Sequence, residues 1–378
     1  NYAAAKRPKN WRQSYTLQPI LSKRSPNQTP RTLANGSLMP NIKLKSMTDT
    51  PAQPSQWKKI LSASTISAQD LLIRLELDEH PLLDQNAPSF PLRVPEPFLN
   101  KIEKGNPNDP LLLQVLPQAQ ESLDIEGYAS EPLLEQNFSP LPGLIHKYSS
   151  RVLLILTQSC AIHCRYCFRR NFPYSEHQQS RQQWQQALDY VATRSEISEV
   201  ILSGGDPLSL SDSSLEELFD KIDRITSVKR IRIHTRMLPS LPQRITSRLL
   251  KVISNLRCKV ILVAHCNHPN ELANDTERAF LRLKEHGVTL LNQSVMLRHI
   301  NDDAQILQAL SEKLFAQGVL PYYLFTLDKV AGAAHFDLPR SEAKQIYKEL
   351  CAQLPGFLTP KLAEEQPGDG SKRVLSNH

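Results

Sequence analysis

From about residue 148 onward, short apolar runs alternate with stretches whose apolar residues recur at helical spacing. The short runs, rich in Val, Ile and Leu, fall at Val152–Leu156, Val200–Leu202, Arg230–His234, Lys259–Ala264, Thr289–Val295 and Tyr322–Leu327. The helical stretches fall between and after them, at 181–193, 214–223, 242–255, 271–285, 303–316 and 341–352. Six strand–helix units in strict order predict an α/β fold with a parallel sheet, and their lengths suit a partial (β/α)6 TIM-like barrel. Barrels of that kind carry their chemistry on the loops that follow the strands.

Upstream, residues 55–77 read as two short helices, and a Pro-rich stretch from Pro81 to Pro142 follows, with a helical piece at Glu96–Glu103. This predicts a helical, Pro-rich accessory region over 47–147, a barrel over 148–355 and a C-terminal segment over 356–378. Residues 1–46 have no sustained apolar periodicity and cannot bury enough surface to offset their ordering entropy. They are expected to be a disordered leader translated from upstream of a start at Met47, an Arg-rich transit peptide being the rival reading.

Charge narrows the partners. The chain carries a net +7, yet residues 1–46 hold nine Lys or Arg and no acid. The other 332 residues then have 36 basic side chains (45 less those nine) against 38 acidic ones. A body that close to neutral is not a general surface for phosphate backbones, so nucleic acid is not expected. No apolar run reaches eighteen residues, so no membrane span is expected either.

Three of the six cysteines, Cys160, Cys164 and Cys167, lie in one run, SCAIHCRYCFRR, directly after the first predicted strand. Electron-transfer clusters are commonly held by four cysteines and structural zinc by four ligands. Three thiolates at C-x3-C-x2-C spacing can instead hold three irons of a [4Fe–4S] cluster and leave the fourth open to a small molecule. Zinc held with His163 as fourth ligand, in a non-enzymatic binding module, is the alternative from another class. The remaining cysteines, Cys258, Cys266 and Cys351, are scattered and read as free thiols, which fits a reducing cytoplasm. After the second strand comes SGGDPL, where Gly204 and Gly205 let backbone approach a ligand and Asp206 offers a carboxylate.

In this order the motifs resemble the lysine 2,3-aminomutase group of radical S-adenosylmethionine enzymes. They are HKYSSR (146–151), CAIHCRYCFRR (160–170), SGGDPL (203–208), HCNHPNE (265–271), NQSVMLR (292–298), LDKVAGAAHF (327–336) and GDGSK (368–372). The resemblance runs from about residue 55 to the C-terminus. Within the group it is nearest to the branch that supplies β-lysine for elongation factor P, through the Phe-Arg-Arg after Cys167, the 327–336 segment and the short tail after Lys372.

The resemblance implies a radical S-adenosylmethionine barrel that isomerises L-lysine to β-lysine, with an external electron donor and a link to an elongation factor P ligase. It implies three cofactors: a [4Fe–4S] cluster on Cys160, Cys164 and Cys167, S-adenosylmethionine, and pyridoxal 5′-phosphate. Gly204, Gly205, Asp206, His265 and Gln293 would contact S-adenosylmethionine. Lys372 would carry pyridoxal phosphate, with Lys147, Tyr148 and Arg151 around it. Two glycines of the family's GGGGK loop are replaced here, by Asp369 and Ser371. Arg169 would hold the α-carboxylate of the substrate, and Asp328 and Glu365 its ε-ammonium, Glu365 standing where relatives have Asp. A catabolic or biosynthetic lysine 2,3-aminomutase unconnected with elongation factor P is the alternative within the family. His268, His299 and His335 are given no chemistry.

Overall fold

The computed structural model describes residues 56–77, 90–171 and 181–375. The 1–46 leader lies outside them, as do parts of the Pro-rich stretch. Nine strands form one sheet in chain order: β1 (Leu144–Tyr148), β2 (Arg151–Ile155), β3 (Glu199–Ser203), β4 (Arg230–Thr235), β5 (Lys259–His265), β6 (Thr289–Val295), β7 (Leu320–Phe325), β8 (Lys361–Glu364) and β9 (Arg373–Val374). β2 to β8 run parallel, and antiparallel β1 and β9 sit at the two edges.

All six predicted strands appear within two residues of their expected bounds. Three strands do not follow from the pattern. β8 and β9 lie in the C-terminal segment, and β1 begins just before the expected start of the barrel. The first two present four and two residues, too few for a period of two to register, and β1 ends in the polar His146, Lys147 and Tyr148.

The helices pack outside the sheet because their apolar spacing gives them one greasy face. In Asp212–Asp223, Leu215, Leu218, Phe219 and Ile222 are all buried, and the Ser211 hydroxyl caps the first turn by accepting from Ser214 N–H. The helix expected over 242–255 is shorter, Ser247–Ser254, with Thr246 as its cap. Pro242–Arg244 forms a separate 3-10 turn whose Arg244 donates to the carbonyls of Leu208 and Leu210. Glu96–Glu103 is likewise helical only over Glu96–Leu99.

Strand alternation then decides what faces inward. On β4, Ile231, Ile233 and Thr235 are buried against the helices, while Arg230, Arg232 and His234 face a cavity of about 520 Å³. Leu153, Ile201, Ile261, Leu291 and Tyr323, from five other strands, line the same cavity. Only a sheet curved round on itself brings these side chains together, so the architecture is a partial barrel. Its two ends meet through contacts that each involve a side chain: Lys147 Nζ on β1 lies 3.1 Å from Glu365 Oε2 just past β8, and the Lys372 backbone N–H donates to Tyr148 Oη at 3.2 Å.

The accessory helices Gln56–Ser62, Ala68–Arg74, Glu96–Leu99 and Pro110–Leu113 precede the sheet. Leu71, Leu72, Phe98, Leu111, Leu112, Val115 and Leu116 form a second apolar cluster there, and it takes in Ile162 from between the first two cysteines of the triad. Among the described residues no helix is long and apolar enough to cross a membrane.

Candidate active site

The cysteine loop follows β2 at the C-terminal end of the parallel strands. Accessory residues hold its backbone: Arg93 Nη1 donates to Cys160 O at 2.9 Å, His163 N–H to Arg93 O at 3.1 Å and Arg165 N–H to Gln114 O at 2.9 Å. Beneath it Glu121 takes two of the loop's three arginines. Arg165 Nε donates to Glu121 Oε1 at 2.8 Å and Arg170 Nη2 to Glu121 Oε2 at 2.7 Å, while Arg165 Nη2 donates to the same Oε2. The Arg165 and Glu121 side chains are fully buried, so this ion triad is sealed from water.

Burial raises all three thiols above their ordinary range; negative charge pushes Cys160 further up, first from Asp206, and Cys167 from Cys164. Among the described residues no three Cys, His, Asp or Glu side chains converge closely enough to hold one metal ion. A four-iron cube asks for something else, since each thiolate meets a different iron and the ligands stand farther apart than around a single ion. The donor set, three soft thiols on one loop, fits a cluster. His163 Nδ1 lies 2.9 Å from Pro91 O.

The loop after β3 is sewn to the cysteine loop. Gly205 N–H donates to Thr157 O at 2.6 Å and Asp206 N–H to Ser159 O at 2.8 Å. A Cβ at Gly204 would lie 2.8 Å from Thr157 O, and one at Gly205 2.6 Å from Ser159 O, so the two backbones meet at a distance only glycine permits. The Asp206 carboxylate accepts from Leu208 N–H, Arg236 N–H and the Thr235 hydroxyl at 2.8–3.0 Å, tying the end of β3 to the end of β4. These bonds hold the acid at the join of the two strand ends, beside Gly204 and Gly205.

His265 and Gln293 end up side by side in register at the tops of β5 and β6. Burial and then the Arg236 charge push the His265 imidazole down to about 3, so it is neutral near pH 7. Its Nε2 lies 3.5 Å from the hydroxyl of Tyr166, which belongs to the cysteine motif. A buried polar network supports that tyrosine: Asn267 Nδ2 donates to Tyr166 Oη at 2.7 Å, and Arg236 Nη2 to Gln114 Oε1 at 2.7 Å.

Lys147, Tyr148, Arg151, Glu365 and Lys372 are brought together on the wall of the large cavity. The Arg151 guanidinium stacks 3.5 Å from the Tyr148 ring centroid. Glu365 lies between two lysines, in contact with Lys372 Nζ and 3.1 Å from Lys147 Nζ. Those two charges and their hydrogen bonds outweigh its partial burial and lower its pKa. Arg151 has no carboxylate partner among the described residues. A basic pair flanking an aromatic ring, one member without a counter-ion, suits a phosphate dianion, and Lys372 beside it supplies an amine.

Asp328, just past β7, keeps some surface open while protein surrounds it. Burial and then the negative charge of Glu365 push its carboxyl up to about 7. Arg169 is nearly sealed: Nη1 donates to Ser203 Oγ at 3.0 Å, and Nε and Nη2 donate to the two oxygens of Glu135 at 2.9 and 2.7 Å. Glu121 and Glu135 are site residues that no spacing in the sequence marks. His234, also missed, faces the cavity, and its Nε2 is buried without a hydrogen-bond partner among the described residues.

The family model for a 4Fe-4S single cluster domain matches residues 149–269, a span that begins ahead of the triad and ends past His265. An L-lysine 2,3-aminomutase of Haemophilus influenzae is 47% identical over 326 residues, 86% of this chain and 96% of its own length. That of Escherichia coli is 47% identical over 317 residues, covering 83% and 92%. That of Clostridium subterminale is 34% identical over 336 residues, covering 88% and 80%. The chain belongs to the L-lysine 2,3-aminomutase family.

Two substitutions test how the cysteine loop is held. Glu121→Ala strands two buried guanidinium groups, and urea denaturation is expected to show a loss of about 3–5 kcal/mol. Gly205→Ala drives a methyl into the Ser159 backbone. Its iron content after reconstitution is expected to fall well below that of the parent, while far-ultraviolet circular dichroism is unchanged.

Proposed function

We propose that this chain converts L-lysine to β-lysine by moving the amino group from C2 to C3, with a [4Fe–4S] cluster, S-adenosylmethionine and pyridoxal phosphate. The observation that carries the reading is the meeting of Lys372 and Tyr148, 224 residues apart in sequence, on a cavity wall that also holds Lys147, Arg151 and Glu365. Bound together, the cofactors supply one-electron chemistry that removes and returns a hydrogen atom, and a π-system across which an amino group can migrate.

The protein's part is holding and orienting. Cys160, Cys164 and Cys167 would hold the cluster. The Gly204–Gly205 backbone, neutral His265 and Gln293 would form the S-adenosylmethionine subsite beside it. Lys372 would hold pyridoxal phosphate covalently, and Lys147, Tyr148 and Arg151 would take its phosphate. Arg169 offers a planar fork for the α-carboxylate of lysine. Asp328 and Glu365 would receive the ε-ammonium, two acids that favour a cationic side chain over an acidic or neutral one. With its nitrogen taken up by the cofactor, Lys372 leaves Glu365 one cation, Lys147, and room for a second. The curved sheet and the accessory region exclude water from these groups.

The destination of the product is proposed from motifs alone. Phe168-Arg169-Arg170 and the 327–336 segment support transfer of β-lysine to elongation factor P by a separate ligase. Mass analysis of elongation factor P from cells lacking this chain tests that step: an unmodified factor supports it, and an unchanged one rules it out.

Anaerobic incubation with lysine, S-adenosylmethionine, pyridoxal phosphate and a reductant is expected to yield β-lysine by mass spectrometry. Lys372→Ala is expected to lose both that product and the visible absorbance of lysine-bound pyridoxal phosphate. Metal analysis showing zinc in place of iron and sulfide would end the reading.

The carboxyl of Asp328 also sets a pH dependence. It is neutral below about 7 and anionic above it, and only the anion attracts an ammonium. The kcat/KM for lysine is therefore expected to fall as pH drops through about 7, and Asp328→Asn to lack that inflection.

A further inference from the structure

Arg169 stands two residues past the last cysteine of the triad, and only 5% of its side chain is exposed. Its Nε–Nη2 edge is occupied by both oxygens of Glu135, the bidentate geometry that an amino-acid carboxylate would adopt on the same edge. Glu135 itself lines the large cavity. It opens a 3-10 turn, Glu135–Phe138, preceded by Leu134 in the left-handed region at φ 49. A branched side chain is strained there, so the turn is held by the contacts it makes. At its far end Phe138 lies under Lys147, 5.5 Å from Nζ to the ring centroid. One short turn thus touches the arginine given to the substrate and the lysine given to the cofactor.

We propose that Glu135 is a specificity-determining residue, a placeholder carboxylate that the α-carboxylate of the substrate displaces from Arg169. The inference rests on the reading of Arg169 as the carboxylate-binding residue. Exchanging one carboxylate for another never leaves the buried guanidinium unpaired, whereas a ligand lacking that group has nothing to offer in return.

The test is calorimetric titration of enzyme loaded with cluster and pyridoxal phosphate, anaerobic and without reductant, with lysine and with lysinamide. Glu135→Gln leaves a weaker, neutral competitor, and lysine is expected to bind about tenfold tighter, the difference between a charged and a neutral hydrogen-bond partner. Lysinamide is expected to gain nothing. Glu135→Asp, too short for the fork but still anionic, is expected to tighten lysine as well, and serves where the glutamine variant retains less iron than the parent.

Weaker lysine binding in both variants would overturn the proposal and make Glu135 a support for Arg169. Equal tightening of lysine and lysinamide would overturn it too. Arg169→Ala separates the two levels: loss of lysine binding upholds the carboxylate reading, and unchanged binding removes that reading and the inference with it.

Discussion

Everything at the mouth of this barrel depends on one buried carboxylate. Glu121 comes from a 3-10 turn of the accessory region and takes two arginines of the cysteine loop at once. Burying a positive charge alone is costly, and burying two is tolerable only when an acid is delivered to both. The accessory region supplies that acid, a carbonyl for Arg165 N–H and an apolar bed for Ile162. The loop expected to carry the radical chemistry is thus shaped from outside the sheet. Its other side is fixed by the glycine loop after β3. The cysteine loop is clamped between two surfaces, and the subsites proposed for cluster and S-adenosylmethionine both lie on residues of that clamp.

The legible part of the fold is the part that repeats. Strand and helix periods recur six times, and each recurrence reinforces the parallel-sheet reading, so β2 to β7 follow from pattern. The edges do not repeat: β1 is half polar, and β8 and β9 are shorter than one clear alternation. Yet those edges bring Lys147 and Tyr148 to Glu365 and Lys372. The residues of the pyridoxal phosphate subsite were nameable from motifs. The reason they meet was not, because it lies in short strands whose pairing is decided by the rest of the sheet.

Acidic residues were the hardest to read, for a physical reason. A carboxylate carries no periodic signal, and its role depends on which donors the fold delivers to it. Asp206, next to two glycines, suggested a ligand contact, and in the fold it also accepts from Thr235, Arg236 and Leu208. Glu365 suggested a substrate contact, and here it bridges two lysines. Glu121 and Glu135 suggested nothing, yet each governs an arginine that matters. Cysteines differ because three soft donors in eight residues mark a metal or cluster site by spacing, which the motifs after them then narrow.

The barrel's two ends are joined by Lys147 to Glu365 and by Lys372 to Tyr148, with no strand ladder running between β9 and β1. Parting any neighbouring pair of strands from β2 to β8 would break backbone hydrogen bonds in a row. Parting this join breaks isolated contacts, an ion pair and a backbone-to-side-chain hydrogen bond, and no ladder. Among the described residues it is the one place where the barrel can be unfastened and refastened without breaking a strand ladder, like the clasp of a cuff, and the backbone of the residue that would carry the cofactor is part of the clasp. The site proposed for a bulky aromatic phosphate thus lies beside the seam that can part without breaking a strand ladder.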